Sequence, residues 1–115
     1  MLIVKPESAK GEWMPLPMID EIKSLCQQGK VEWTNHVQQR ILQRGISRKD
    51  VKEAIIHGEI IENYPNDYPF PSFLMLGINH LHVVCGLGTG KLWIITAYRP
   101  SGDKWETDLK TRKEI

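Results

Sequence analysis

The sequence predicts an α+β domain in which N-terminal helices pack on a four-stranded antiparallel β-meander. Two observations carry this. Apolar residues recur at helical intervals up to Gly58 and at strand intervals beyond it, and the later segments are joined by short, turn-rich connections. At 115 residues the chain has room for one core. Residues 1–17 read as a lead-in interrupted by Pro6, Gly11, Pro15 and Pro17, and residues 18–115 as the domain.

The first helix is expected from Met18 to Gln28, with Ile19, Ile22, Leu25 and Cys26 inward and Gly29 as its stop. Thr34 or Asn35 caps the second, which Gly45 ends. Ser47 caps the third, because Ser-Arg-Lys-Asp leads into Val51, Ala54 and Ile55, and Gly58 ends it. Strands follow at Glu59–Tyr64, Ser72–Gly77, Leu81–Leu87 and Lys91–Tyr98, with Leu2–Val4 as a possible short extra strand. The links are the Pro65–Pro71 loop, an Ile78-Asn79 turn and a Gly88-Thr-Gly90 turn. Residues 105–113 form a tail or short helix. The four tryptophans, Trp13, Trp33, Trp93 and Trp105, read as core or hinge anchors.

Composition narrows the function classes. A net charge of +1 excludes strong whole-molecule attraction to nucleic acid, so any such contact must be a local patch. No apolar run reaches membrane length and the N-terminus lacks signal-peptide regions. Cys26 and Cys85 have neither disulfide-framework nor zinc spacing. These features predict a cytoplasmic protein with free thiols, no membrane partner and no cofactor. His80 and His82 have strand spacing for a ligand pair, but with no third ligand no metal site is expected. Gly86-Leu-Gly-Thr-Gly-Lys91 lacks phosphate-loop spacing and runs on as a strand.

The candidate site starts from the helix at residues 34–45. His36, Arg40 and Arg44 stand four residues apart on one face with no acid in the stretch, while Val37, Ile41 and Leu42 face the core. In the third strand Leu81, Val83, Cys85 and Leu87 face the core and His82 the opposite side. In the fourth, Trp93, Ile95 and Ala97 share one face; Leu92, Ile94, Thr96 and Tyr98 share the other, which opens to solvent or ligand at its far end. Hairpin pairing puts His82 level with Thr96 or Tyr98. His36 and His82 then suit general base and general acid, with Arg40 beside them to stabilise phosphate charge. Tyr98 suits stacking or hydrogen bonding to phosphate, and Arg44, Thr96 and Lys91 suit substrate binding. Together these groups fit metal-independent RNA cleavage by the substrate's own 2′-hydroxyl. Blander readings stand beside this: a surface histidine, a solvated basic face paired with Glu53 or Glu62, and a tyrosine roofing the core.

A resemblance adds to these readings. The ordered set His36-x-x-x-Arg40-x-x-x-Arg44-Gly-Ile-Ser, Asp50-Val, Gly58-Glu, Ile61-Glu-Asn-Tyr-Pro65, Pro69-x-Pro-Ser, Leu76-Gly, Leu81-His-Val-Val and Ile95-Thr-Ala-Tyr-x-Pro100 resembles bacterial domain-of-unknown-function family 4258 over about residues 34–106. The element order is similar to the RelE-like and BrnT-like ribonuclease toxins. The resemblance implies an endoribonuclease toxin with RNA as substrate and a small antitoxin protein as partner, and it carries over His36, Arg40, His82, Thr96 and Tyr98. Toxins that act on the ribosome are commonly strongly basic. The near-neutral charge here implies a free-RNA substrate or a degenerate site. The alternatives are a binding module docking a protein through the helix and loop 65–71, or a nucleic-acid-binding protein using Arg40, Arg44, Arg48 and Lys49.

Overall fold

The computed structural model describes the backbone of residues 15–114 and the side chains of residues 18–114. The expectations for Leu2–Val4 and Trp13 lie outside these residues. Helix α1 (Pro15–Gln27) begins three residues before Met18. Prolines fit the first turn, where the missing N–H has no helical partner. Strand β1 (Val31–Trp33) follows, then α2 (Asn35–Gln43) and α3 (Arg48–Ile56). The sheet continues with β2 (Glu59–Tyr64), β3 (Ser72–Leu76), β4 (His82–Gly88) and β5 (Lys91–Tyr98).

The predicted caps are present. Thr34 accepts from the Val37 N–H at 3.1 Å. Ser47 and Asp50 form a reciprocal capping box on α3. At the other end of α3, Lys23 of α1 donates to the carbonyls of Ile56 and Gly58 at 2.8 and 2.9 Å, closing orphan acceptors. A nine-residue helix is too short to stand alone. Val37 and Ile41, both buried, hold α2 to the sheet, each worth about 1.5–3 kcal/mol. Leu42 does not join them: it is 79% exposed, because one step past Ile41 swings it about 100° off the stripe.

The sheet has five strands in the order β1-β5-β4-β3-β2, and it is mixed, not a four-stranded meander. The missed strand is β1, which runs parallel to β5 with Val31 opposite Leu92 and Trp33 opposite Ile94. Three residues between a Gly29 turn and a helix cap show no legible alternation. Phe73, Met75, Leu81, Val83, Cys85, Leu92, Ile94 and Ala97 line the face buried under the helices. The predicted inward set of β4 is therefore correct. The β5 faces are not. Thr96 pairs with Val84 but Ile94 with Cys85, so Ile95 is an extra residue that reverses the alternation. Ala97 thus joins Leu92 and Ile94 inward, and Trp93, Thr96 and Tyr98 share the opposite face.

No helix covers that opposite face among the described residues. Loop 65–71 covers one end, where Phe70 stacks on Trp93 with centroids 5.4 Å apart. The C-terminal tail covers the other end. It is neither helix nor free chain: Trp105 and Arg112 bridge, and Asp108 accepts from Lys110 and Thr111 to fix the turn between them. The closest approach is at Gly88, where an added Cβ would lie 2.1 Å from the Phe70 ring. Gly88→Ala is therefore expected to cost about 1–3 kcal/mol in urea unfolding, and an unchanged midpoint would show that the loop yields freely.

Cys26 and Cys85 are free and buried, and burial pushes the Cys85 thiol up to about 12. No helix of the described residues is long and apolar enough to cross a membrane.

Candidate functional site

The predicted residues separate into three places along α2 and β5. At the far end, Lys91 pairs with Glu32 at 2.9 Å. It starts the strand that Tyr98 ends, about 23 Å away, so it does not join the rest. His36 and Arg40 stand exposed on α2. His36 lies about 12 Å along the helix from Arg44. The third place, the C-terminal end of β5, brings together Arg44, Thr96, Tyr98 and His82.

Strand β1 pairs only with residues 92–94, which leaves the edge of β5 beyond Ile94 without a strand partner among the described residues. Arg44, the residue that ends α2, closes part of that edge. Its Nη1 donates to the Ala97 carbonyl at 2.9 Å and to Thr96 Oγ1 at 3.3 Å. Arg44 is thus a bracket between helix and strand, not the outermost cation of a solvated face. Nearby, Arg48 reaches Gln38 and lies over the Trp33 ring at 5.2 Å.

His82 sits opposite Tyr98 in the hairpin, one of the two partners that the spacing offered, but it is fully buried. The tail supplies the cover: the Trp105 ring meets the imidazole edge-on at 4.6 Å. His82 Nε2 is 2.7 Å from the Leu109 carbonyl, which can only accept, so Nε2 carries the proton. In the neutral ring Nδ1 then accepts from the Tyr98 hydroxyl at 3.2 Å. Direct contact between His82 and a substrate, needed for its expected role as general acid, does not fit this burial. Tyr98 stands between them. Sequence alone does not reveal this, because the covering carbonyl lies 27 residues downstream.

Burial is also the main influence on the site's titration. It pulls His82 below the ordinary imidazole value, offset by the Leu109 bond and Glu62 and reinforced by Arg112. It pushes Tyr98 up, so the phenol stays protonated near neutrality. Glu62 is held down by Arg112, which binds both its oxygens at 2.8 and 3.0 Å, with Tyr64 as a further donor. The His82 shift has a definite sign. The unfolded chain takes up a proton near pH 6.5 and the folded one resists it. The stability from His82 is therefore fully present above about pH 6.5 and lost as pH falls below it. Urea unfolding between about pH 8 and pH 5 should show this decline, and His82→Gln should flatten it; equal slopes in both proteins would exclude His82 as the source.

A cleft opens at each end of this sheet face. One, of about 510 Å³, is lined by Thr34, Asp67, Tyr68, Pro69, Phe70, Trp93, Ile94 and Ile95 and is mainly apolar. The other, of about 370 Å³, opens over Tyr98 between Arg99 and Arg112. Among the described residues no group of three or more His, Cys, Asp or Glu side chains is placed to hold a metal ion.

The family model described as Domain of unknown function (DUF4258) matches residues 33–99, which span every residue of the three places above. No curated protein and no solved structure gives a significant match to this chain.

Proposed function

We propose that this chain, which belongs to the DUF4258 family, is a metal-independent endoribonuclease working at the C-terminal end of β5, with Tyr98 meeting the substrate. The observation that carries the reading is the hydrogen bond from Tyr98 to His82 Nδ1, behind which the Leu109 carbonyl fixes the tautomer. A neutral imidazole oriented in this way leaves the Tyr98 oxygen free to accept a proton while its own proton passes inward.

The chemistry follows from that geometry. The substrate 2′-oxygen attacks phosphorus as its proton moves to the Tyr98 oxygen and the Tyr98 proton moves to His82 Nδ1. The bond from phosphorus to the 5′-oxygen breaks, and the leaving oxygen takes a proton from solvent at the cleft mouth. The products are a 2′,3′-cyclic phosphate and a 5′-hydroxyl. His82 acts through Tyr98 and is a positioning and relay residue. Glu62 lies close enough to favour the imidazolium that forms. Arg44 fixes the strand edge beneath the reacting group, and Arg40 and His36 guide RNA along α2 without transferring protons.

A RelE-like relationship, a cytoplasmic setting and a small antitoxin partner belong to the same reading. The ordered sequence motifs and the packing of helices on one sheet face support it. Expressed without its partner, the wild type should arrest growth and shorten cellular RNA, and Tyr98→Phe should do neither. Wild-type expression without arrest or cleavage would remove the reading's main support.

One observation favours a rival, a non-catalytic binding module: both His82 nitrogens are satisfied inside the protein, as in a structural histidine. Tight association with a small neighbouring protein, unchanged by Tyr98→Phe and without RNA cleavage, would establish that rival.

A further inference from the structure

The cleft over Tyr98 contains residues that the sequence motifs did not single out. Its lining is Tyr98, Arg99, Ser101, Lys104, Trp105 and Arg112: three cations, two hydroxyls and no acid. Arg112 is paired with Glu62, so the uncompensated positive charge of the cleft is that of Arg99 and Lys104. The walls are built, not incidental. Ser101 O accepts from the N–H groups of Lys104 and Trp105 at 3.2 Å each, which fixes the turn carrying Lys104. Arg112 is locked by its two bonds to Glu62 and by its place over the Trp105 ring at 4.6 Å. Arg99 and Lys104 have no ion-pair partner within 4.0 Å among the described residues. Asp50, which Arg99 influences only weakly, has its carboxylate held by Ser47.

We infer that this cleft is the seat for an RNA phosphate, gripped by Arg99 and Lys104 against the fixed wall of Arg112. The inference rests on the endoribonuclease reading and deepens it. A phosphodiester seated between these cations lies against the Tyr98 hydroxyl, so its ribose meets the proposed base. An apolar or cationic ligand finds nothing to pair with these groups, and desolvating them without an anion is unfavourable. The apolar cleft at the other end of the sheet face lacks any cation in its lining and offers a phosphate no such grip.

The test uses the full chain and a labelled single-stranded oligonucleotide methylated at every 2′-oxygen, which cannot be cleaved. Binding is read by fluorescence anisotropy across a range of salt. The wild type should bind with an affinity that falls as salt rises. An Arg99→Ala, Lys104→Ala double variant should bind at least about tenfold more weakly, with a salt slope smaller by roughly 0.7, the share of one phosphate contact on a single strand. Arg99→Lys with Lys104→Arg should recover most of the affinity. Wild-type affinity and slope in the double-alanine variant would overturn the inference, as would a wild type that takes a polyglutamate peptide in preference to the oligonucleotide. A wild type that binds through these two residues but leaves unmodified RNA intact would support the seat while removing the Tyr98 chemistry.

Discussion

Tyr98→Phe is expected to lower RNA cleavage by about 10²-fold or more while lowering stability only modestly, with the fold retained. The ring keeps its packing: phenylalanine fills the same place opposite His82, and the tyrosine is only half-buried. What disappears is one hydroxyl, and with it the hydrogen bond that links the cleft to His82 Nδ1 at 3.2 Å. A general base at this position contributes about 10²–10⁴-fold, so its loss is large on the scale of activity. The cost to stability is that of leaving the buried His82 Nδ1 without its donor, about 1–3 kcal/mol. His82→Gln should reduce cleavage by a similar factor through the same relay, and the two changes together should be far from additive, because they interrupt one chain of proton transfer. Full cleavage by Tyr98→Phe would show that the hydroxyl is a structural contact.

The second large effect is on stability. Trp105→Ala should cost about 3–5 kcal/mol, a substantial part of the ~5–15 kcal/mol total for a domain of this kind. Trp105 is 3% exposed, meets His82 edge-on and carries the Arg112 guanidinium on its other side. Removing it takes the central anchor out of a tail that is otherwise tied to the sheet by the Leu109 bond to His82 and by the Arg112–Glu62 and Lys110–Glu59 ion pairs. The first sign should be loss of amide-exchange protection across residues 101–113, before the sheet itself opens. Once the cover is lost, His82 regains water and its titration should return upward toward the ordinary imidazole value, as an NMR titration would record. A cost below about 1 kcal/mol with unaltered His82 titration would show that the tail is held elsewhere.

Local signals made α2, α3 and strands β2 to β5 legible. Thr34 and Ser47 announced helix starts through their hydroxyls, and Gly45 has the positive φ of a helix stop. Two-residue alternation placed Val83 and Cys85 inward without any tertiary knowledge. The Gly88-Thr89-Gly90 turn was readable too, and both Thr89 and Gly90 have positive φ, as its tight hairpin requires. What failed depends on distant partners. Strand β1 is three residues long and exists because β5 offers an edge. The extra residue at Ile95 changes no local composition, yet it turns Ala97 inward.

The candidate site divides along the same line. That His82 lies level with Thr96 or Tyr98 was legible from the hairpin, but the choice of Tyr98 was not: the turn alone pairs His82 with Ala97, and the extra residue at Ile95 moves it to Tyr98. The burial of His82 was not legible either, because it comes from Trp105 and the Leu109 carbonyl, in a segment with no periodicity to read. Arg44 was correctly singled out as a cation, but its bond to the Ala97 carbonyl spans 53 residues and makes it a bracket. Arg99 and Lys104 carry no sequence motif; only the turn at Ser101 brings them to one cleft.

The most direct measurement of the central claim is the chemistry of the ends produced. The purified chain is incubated in EDTA with an end-labelled single-stranded RNA and with the same sequence as DNA. Fragments ending in 2′,3′-cyclic phosphate and 5′-hydroxyl from the RNA, with the DNA left whole, are the predicted result. Intact RNA, cleavage that requires an added metal ion, or equal cleavage of the DNA would contradict it.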